Sequence, residues 1–326
     1  MVNNYSNVPE ETKKRVMEIV EKYHYVPHAS ARILAGGYSR IIGLFMVDMK
    51  RGTEGRKLSM SSYFLPFLSG VIDAANRRGY QVLVSTIGSL AGYQGVEKVF
   101  GNKTISGGIF IGQQGDKEIE RINTLGYKTV MIDRAWDETK RSPNGIIINP
   151  DNFAGAYDAV RYLVQLGHTR IAHVTGYAGQ LATAERLDGY KKALADSGLA
   201  YDAGIVLKGD FMPDSGYAAT RRLLQMEDRP TAVFYANDSM ALGGMKAAQE
   251  TGLSVPEELS VVGFDDIEAA AGGRPPLTTV RQPMQEMSAS AADTLISFIE
   301  GGSSYFAHYV MPVQLIRRQS CSRPGG

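Results

Sequence analysis

Cysteine is almost absent from this 326-residue chain, in which Cys321 is the single example. One cysteine cannot form an intrachain disulfide, so the usual sign of an oxidising compartment is missing. No stretch of eighteen consecutive apolar residues occurs, and the first fourteen residues are polar, which argues against a membrane span and a secretory signal. These absences predict a cytoplasmic protein without a membrane partner.

An excess of charge of either sign is also lacking. The 35 Lys and Arg residues are balanced by 34 Asp and Glu residues, which leaves a formal net charge of +1. A chain with this balance has no overall electrostatic field that would hold a nucleic acid, so any contact with DNA must be local.

The signatures of common enzymes are missing as well. The sequence has no Gly-x-Ser-x-Gly elbow, no Gly-x4-Gly-Lys-Ser/Thr phosphate loop, no His-Glu-x-x-His and no Gly-x-Gly-x-x-Gly at a strand end. Two of the five histidines, His168 and His173, lie beside or within a predicted strand, which favours structural roles for them. We therefore expect no catalytic residue, no bound metal and no cofactor.

From residue 41 onward, short β-rich segments alternate with amphipathic helical segments, a pattern typical of parallel sheets covered by helices. Helices are predicted at residues 65–78, 154–166 and 241–251, each ending at a glycine. Polar residues around 137–145 interrupt the pattern midway, which favours two open, doubly wound α/β lobes over one closed barrel. The predicted strands are residues 41–47, 81–86, 108–111, 129–132, 145–148, 170–175, 205–208, 232–235, 259–263 and 309–316.

Polar side chains follow several of these strands. In open α/β sheets ligands bind beyond the carboxyl ends of the strands, where carboxylates can accept hydrogen bonds from ligand hydroxyls. Alternatively, Asp and Asn in such places cap the helix that follows, and this interpretation is favoured for Asp238 and Asp266. The residues concerned are Asp48, Asp133, Asn237, Asp238, Asp265 and Asp266.

Two further residues are compatible with a binding cleft. Arg186 could present its planar guanidinium to a diol or a carboxylate, or could be a solvated helix residue paired with Asp188 or Glu185. Phe211 lies among turn-forming residues, where it could stack on a sugar or a base, although a lone aromatic residue is more often part of a core.

Residues 1–40 differ in kind from the rest. Pro9 begins an amphipathic helix whose apolar residues, such as Val16, Ile19 and Tyr23, recur at helical spacing. A second short helical stretch is predicted at residues 29–35. Neither stretch is large enough to be a domain alone.

Several segments taken together resemble the lactose and galactose repressor (LacI/GalR) family of bacterial transcriptional regulators. They occur in the family's order and cover nearly the whole chain. The matching segments are VPEETKKRV (8–16), YVPHASAR (25–32), LGHTRIA (166–172), RLDGY (186–190), AND (236–238), VGFDD (262–266) and LTTVRQP (277–283).

The resemblance implies a DNA-binding headpiece and hinge, followed by a two-lobed effector domain like that of periplasmic binding proteins, which closes around its ligand. It also implies three crossings between the lobes, with a last helix at 286–300 in the first lobe and the final strand in the second. The expected domains are 1–39 (partial headpiece and hinge helix), 40–145 with 284–306 (first effector lobe) and 146–283 with 307–326 (second effector lobe).

The resemblance further implies which residues bind. The hinge residues expected to contact DNA are His28, Ser30, Ala31, Arg32 and Leu34, with Leu34 wedged into the minor groove. The segment around Phe211 resembles one that places a stacking phenylalanine in purine-responsive members, but sugar-responsive members have similar phenylalanines, so a sugar effector is favoured over a purine. The expected ligand-binding residues are Tyr63, Phe64, Asp133, Arg186, Phe211, Asn237, Asp265 and Gln282.

One departure concerns DNA recognition. The family begins with a helix-turn-helix, and Met1-Val2-Asn3-Asn4 resembles only the tail of its recognition helix, which predicts a truncated headpiece with poor operator recognition. Either the true start lies upstream or the protein is a truncated form.

The expected function is that of an allosteric, homodimeric repressor that senses a sugar or related small molecule. Operator DNA is an expected partner if the headpiece is complete. One alternative is a sugar or purine binding module that lacks operator recognition. Another is an α/β hydrolase that uses Asp265 and Asp266 as paired carboxylates.

Overall fold

The computed structural model describes residues 9–23, 38–48, 63–113, 118, 121–122, 124–135, 145–301 and 307–325. The predicted DNA-contacting hinge residues His28, Ser30, Ala31, Arg32 and Leu34 lie outside these ranges, so their roles stay predictions. Within the described ranges, none of the helices combines the length and apolar character that crossing a bilayer requires.

The described helices and strands alternate along most of the chain, as the sequence pattern predicts. A single 3₁₀ turn, Ala203–Ile205, precedes the seventh strand. In chain order the elements are α1 (Glu10–Lys22), β1 (Ile41–Asp48), α2 (Phe64–Arg77), β2 (Gln81–Ile87), α3 (Leu90–Gly101), β3 (Gly108–Gln113), β4 (Thr129–Ile132), β5 (Gly145–Pro150), α4 (Asn152–Gln165), β6 (Ile171–Thr175), α5 (Leu181–Asp196), β7 (Val206–Lys208), α6 (Pro213–Leu224), β8 (Ala232–Tyr235), α7 (Asp238–Glu250), β9 (Ser260–Val262), α8 (Glu268–Gly272), β10 (Thr279–Arg281), α9 (Met284–Gly301), β11 (Ala307–Met311) and β12 (Gln314–Ile316).

The first lobe is built on six parallel strands in the order β11-β5-β4-β3-β1-β2. Helices α2 and α9 pack against each other, and their apolar residues join those of the strands in one buried core. Strands β4 and β5 are buried along their whole length, as expected for parallel strands with both faces covered.

The second lobe has four parallel strands in the order β7-β6-β8-β9. Helices α4 and α5 pack together over one core, and α6 and α7 pack together over the other. The antiparallel pair β10 and β12 extends this lobe, because single bridges link Val262 to Thr278 and Asp265 to Arg281. The prediction of two α/β lobes is therefore confirmed.

Helix ends follow the signals in the sequence. The predicted terminal glycines Gly79, Gly167 and Gly252 have φ values of 71°, 102° and 80°, the left-handed backbone that ends a helix. At the other end of α4, the Asp151 carboxylate accepts a hydrogen bond of 2.9 Å from the Ala154 N–H. These local features fix where each helix begins and ends relative to its strand.

The division between the lobes differs from the expected one at two positions. Strand β5 pairs with β11 inside the first-lobe sheet, with Ile146 opposite Ala307, whereas the expected boundaries placed both segments in the second lobe. The reason is the wholly buried β5, whose apolar run completes the first sheet. The chain therefore crosses between the lobes after Pro150, between β10 and α9, and after Met311.

The prediction of one strand at residues 309–316 was also wrong, because these residues form two strands that belong to different lobes. β11 belongs to the first sheet and β12 pairs with β10 in the second. Pro312 lies between them, and a residue without an N–H cannot continue a ladder of hydrogen bonds.

The amino-terminal helix α1 stands apart from these cores. Its apolar residues Met17 and Ile19, and Tyr23 just beyond it, are exposed. The apolar residues of α1 are therefore not part of the core of either lobe.

Candidate functional site

The expected ligand-binding residues all lie beyond the carboxyl ends of strands, where open α/β sheets bind their ligands. In the first lobe, Tyr63 and Phe64 stand at the start of α2, which follows β1, and Asp133 follows β4. In the second lobe, Arg186 lies in α5 after β6, Phe211 follows β7, Asn237 follows β8, Asp265 follows β9 and Gln282 follows β10.

Arg186 is the centre of the second-lobe cluster. Its side chain is 3% exposed, its Nε donates a 2.9 Å hydrogen bond to Asn152 Oδ1, and its Nη1 donates to the Ala236 carbonyl. The guanidinium carbon lies 3.7 Å from the centre of the Phe264 ring. Of the two interpretations of this residue, the solvated helix arginine is therefore wrong.

Asp265 is the buried anion of the same cluster. One carboxylate oxygen lies 3.8 Å from Arg186 Nη1 and accepts a 2.6 Å hydrogen bond from Gln282 Nε2. Gln282 is also buried, and its Oε1 has no partner among the described residues. Three expected site residues from distant parts of the sequence are thus in direct contact.

The first lobe contributes Tyr63 and Asp133, which are joined by a hydrogen bond from the phenol to Asp133 Oδ2. Asn149 of β5 holds the turn that carries Asp133, since it bonds both the N–H and the C=O of Arg134, at 3.1 and 2.8 Å. Asp133 Oδ1 is buried and has no partner among the described residues.

Backbone strain is concentrated at the expected site. Among the described residues other than glycine, five have positive φ, and the φ values of Asp133, Phe211 and Asp265 are 62°, 63° and 122°. Each such conformation costs on the order of 1–3 kcal/mol and persists where surrounding contacts hold it. The other two residues are Lys103 and Asp266.

Phe211 and Asn237 form the rest of the second-lobe cluster. The Phe211 ring lies over Gly176, where an added Cβ would approach it to 1.9 Å, so a larger residue at 176 would displace the ring. Asn237 Nδ2 donates to the Phe211 carbonyl at 3.1 Å, and Asn237 Oδ1 caps α7 by accepting from Met240 N–H at 3.0 Å. Phe211 is half-buried, whereas Phe64 lies wholly within the first-lobe core.

The charges of the two lobes are close enough to affect each other. Burial raises the pKa of Asp133, and the Arg186 charge from the other lobe opposes that rise. Burial also raises the pKa of Asp265 to about 7 against the effects of Arg186 and Gln282, and the Asp133 charge adds to the rise. The pKa of Tyr63 is held well above its ordinary value by burial and by the carboxylates of Asp133 and Asp265.

Known proteins resemble this chain in sequence and in fold. The periplasmic binding protein-like domain family matches residues 160–321. The HTH-type transcriptional repressor PurR of Aliivibrio salmonicida is 30% identical over 321 residues, which cover 98% of this chain and 93% of that protein. The chain belongs to the LacI/GalR family of transcriptional regulators.

Solved structures of other LacI/GalR members share the fold. The complex of the transcriptional regulator CelR with cellobiose has a TM-score of 0.79 and 28% identity, covering 98% of this chain and 93% of that one. The lac repressor dimer bound to operator and the anti-inducer ONPF has a TM-score of 0.76 and 28% identity, covering 91% and 99%. The resemblance drawn from the sequence motifs is therefore confirmed.

Two residues of this LacI/GalR chain contact the site and were missed. Asn152 holds Arg186, and its own Nδ2 donates a 2.9 Å hydrogen bond to Glu185 Oε2. Asn152 directly follows β5 and the cap Asp151, so the rule that polar residues follow strands could have found it. Glu185 was considered only as a surface partner of Arg186.

The helix-capping interpretation of Asp238 and Asp266 is wrong, although both roles are structural. Asp238 accepts hydrogen bonds from the Ile267 N–H at 2.9 Å and from Thr279 Oγ1 at 2.5 Å, and its neighbour Asn237 is the cap. Asp266 is paired with Arg281 at 2.7 Å and Arg318 at 2.5 Å.

The histidines of the second lobe have the predicted structural roles. His168 contacts Thr231 and Ser260 at 2.9 and 3.0 Å, and His173 Nδ1 lies 2.9 Å from the Phe234 carbonyl. Burial lowers the pKa of His173 to about 4, so its ring is neutral near pH 7.

Proposed function

We propose that this LacI/GalR member is an effector-responsive repressor that works as a homodimer on DNA in the cytoplasm. In this proposal one small hydroxyl-bearing molecule binds between the lobes and is not chemically changed. The supporting observation is the buried cluster of Arg186, Asp265 and Gln282 in the second lobe, which lies at the strand ends as the Tyr63–Asp133 pair of the first lobe does. Asp133 and Asp265 have a strained backbone with positive φ.

A sugar is the first candidate for the effector. Carboxylates and amides that accept hydrogen bonds, beside one guanidinium, are suited to hydroxyl groups. The cellobiose-bound CelR structure, which this chain resembles over nearly its whole length, supports the same class.

A purine is the second candidate, on the evidence of one aromatic residue. The Phe211 ring is half-buried, and its centre lies 6.2 Å from that of Tyr177 in an edge-on arrangement. A flat base could stack on such a ring.

The effector assignment is tested by titrating the protein with pentoses, hexoses, disaccharides and nucleobases. We expect one molecule bound per chain, and at least tenfold weaker binding to Arg186→Lys, since an ammonium cannot reproduce the guanidinium's planar set of donors. A ligand that binds Arg186→Lys as tightly as it binds the wild type would show that the cluster is not the binding site.

Repression is supported by the lac repressor dimer on its operator, a structural neighbour of this chain. A gel-shift assay with DNA flanking the protein's own gene, with and without the effector, tests this proposal. A shift that the effector strengthens or weakens is expected. A chain that binds effector but no DNA fragment would instead be a binding module.

The absence of catalysis is supported by the engagement of Asp266. A hydrolase using Asp265 and Asp266 would need both carboxylates at the substrate, but Asp266 is held by Arg281 and Arg318. Mass spectrometry should recover the bound effector unchanged after incubation, whereas a hydrolysed product would overturn this part of the proposal.

A further inference from the structure

A cavity of about 490 Å³ lies at the free edge of the second-lobe sheet, between strand β7 and helix α6. Its volume is typical of small-molecule sites in proteins, and no residue of the proposed effector site lines it. We propose that this cavity is a second ligand site, which binds a small organic phosphate and changes the affinity of the effector site through residues 208–215. The binding is independent of the proposed function, and only the coupling rests on it.

Two cations without a partner line the cavity. Lys208 at the end of β7 and Arg222 in α6 are exposed, and neither side chain forms an ion pair or a hydrogen bond with another described residue. None of the described residues that line the cavity is acidic. The neighbouring Asp202 is paired with Arg170 at 3.0 Å. The cavity is therefore locally positive, although the net charge of the whole chain is only +1.

The edge of the sheet supplies a backbone donor. Gly209 N–H donates to the Thr175 carbonyl of β6 at 2.9 Å. Because successive residues of a strand direct their N–H groups to opposite sides, the Lys208 N–H points away from β6. β7 is the outermost strand of this sheet, so no strand in the described part of the chain accepts from that N–H. An anion at the edge can receive this donor together with the Lys208 ammonium.

These donors are suited to a phosphate group that is attached to carbon. A guanidinium presents a planar set of donors that matches phosphate oxygens, and an ammonium binds them as a compact charge. The floor of the cavity is apolar and is suited to the carbon atoms of an ester, which inorganic phosphate lacks. The floor is formed by Val206, Leu207, Ala218 and Ala219.

One short loop connects the cavity with the proposed effector site. Lys208 and Ser215 line the cavity, and Phe211 lies between them in the sequence. Ser215 Oγ accepts a 3.1 Å hydrogen bond from Asp210 N–H and donates a 2.9 Å hydrogen bond to the Met212 carbonyl. Ser215 thus holds the residues on both sides of Phe211. A ligand that moves either end of the loop also moves the Phe211 ring.

The position of Phe211 makes such a movement relevant to the effector. Its φ is 63°, and its carbonyl accepts a 3.1 Å hydrogen bond from Asn237, another expected effector-binding residue. Coupling between two sites is reciprocal and typically changes an affinity by about 5–150-fold. The regulator would then combine the signals of two small molecules.

Isothermal titration with phosphate esters tests the site. The probes are glucose 6-phosphate, fructose 1,6-bisphosphate, ribose 5-phosphate and AMP, compared with inorganic phosphate and with glucose, fructose, ribose and adenosine. We expect at least one ester to bind more tightly than inorganic phosphate and than its uncharged partner. Lys208→Gln and Arg222→Gln should each weaken that binding about tenfold, because each removes one charge-assisted contact.

Both variants should fold, since neither side chain has a partner within the described part of the protein. Arg221→Gln is the matched control, because Arg221 is the exposed neighbour of Arg222 in α6 and does not line the cavity. It should bind the ester as the wild type does. The proposal is overturned if no ester binds, if inorganic phosphate binds as tightly as every ester, or if both cavity variants bind the ester with unchanged affinity.

The coupling is measured by titrating the ligand found for the proposed effector site, with and without saturating ester. We expect its Kd to change at least about fivefold, and the change to be lost in Lys208→Gln. An unchanged Kd overturns the coupling. If no ligand is found for the effector site, the proposed function fails and the coupling fails with it, whereas the ester titrations still decide the second site.

Discussion

Arg186 illustrates how one residue can be both a structural and a binding element. Its guanidinium is buried against Phe264, and it is the cation nearest the buried Asp265 carboxylate. A buried charge that loses its partner is costly, while a pair removed together leaves no uncompensated charge. The residue is therefore needed for the fold of the site as well as for any ligand.

This leads to a prediction on stability. Above the Asp265 pKa of about 7, Arg186→Met should lower the free energy of unfolding by up to about 3–5 kcal/mol, because the ionised Asp265 is then buried without a cation. The double variant with Asp265→Asn should recover part of that loss in urea unfolding. Arg222→Met, at an exposed arginine of α6, is the control and should have little effect. If the double variant is no more stable than Arg186→Met, the ion pair is not the cause.

His173 provides a prediction on pH. Its pKa is lowered by burial to about 4, whereas an unfolded histidine titrates near its ordinary value of 6.5. Between these two pH values the unfolded state binds more protons, so the contribution of His173 to stability falls as the pH is lowered from 6.5 to 4, by about 3 kcal/mol in all.

His173→Phe should remove this contribution, since a phenyl ring can stack on Phe234 and Tyr190 in its place. The comparison is made by urea unfolding at pH 4.5 and pH 7. The raised pKa of Asp265 has the opposite pH dependence, but it is present in both proteins and cancels from the difference. Equal pH dependence in the two proteins would mean that His173 is not the responsible group.

At the scale of residues, the sequence predicted where the site residues lie better than which residues they contact. The strand-end rule and the family motifs together indicated Asp133, Arg186, Asp265 and Gln282, and three of these are in direct contact. Asn152 was missed because its contact with Arg186 joins residues 34 apart in sequence, in two different helices. The spacing of residues within one helix or strand cannot predict such a contact.

At the scale of elements, close helix pairs are a repeated feature of the second lobe. A Cβ at Gly243 of α7 would lie 2.0 Å from the Pro213 carbonyl oxygen of α6, and one at Gly189 of α5 would lie 2.4 Å from the Phe153 carbonyl oxygen of α4. Backbone cannot yield as a flexible side chain can. These glycines therefore set the distance between the paired helices.

Gly243→Ala should consequently destabilise the protein, by about 1–3 kcal/mol as in other overpacked interfaces. Gly95→Ala is the matched control, because Gly95 is an exposed residue of α3 where an added Cβ meets nothing within 4 Å. The control should be more stable by about 0.5–1 kcal/mol, as expected for alanine in place of glycine in a helix. Melting curves that show the same change for both substitutions would contradict the role of close packing.

Element boundaries were predicted well where a buried apolar run is flanked by turn residues. Strands β4 and β8 have the predicted limits, residues 129–132 and 232–235. The prediction was wrong at residues 309–316, where two strands belong to different sheets, because sheet membership depends on contacts with β5 and β10 that lie far away in sequence.

At the scale of the whole molecule, the three crossings make the lobes parts of one cooperative unit. The connections after Met311 and after Arg281 are each two residues long, and the connection after Pro150 is a single residue. Short connections of this kind allow two rigid bodies to rotate but not to separate. The proposed effector would then act on their relative orientation.

The last prediction concerns that motion. A ligand that satisfies Asp133 Oδ1 in one lobe and Gln282 Oε1 in the other favours the arrangement in which both acceptors reach it. At a concentration one hundred times its Kd, the ligand should add about 2.7 kcal/mol to the free energy of unfolding and raise Tm by several degrees. Small-angle X-ray scattering should show a smaller radius of gyration for the same sample.

The control is Asp133→Asn at ligand concentrations adjusted to the same fractional saturation. The ligand then keeps its contacts with the second lobe but loses the charged acceptor of the first, so the decrease in the radius of gyration should be smaller. If the wild type binds with a raised Tm but an unchanged radius of gyration, the ligand is held by one lobe alone. In that case the effector would have no differential affinity for the closed arrangement, and closure could not transmit its signal to DNA.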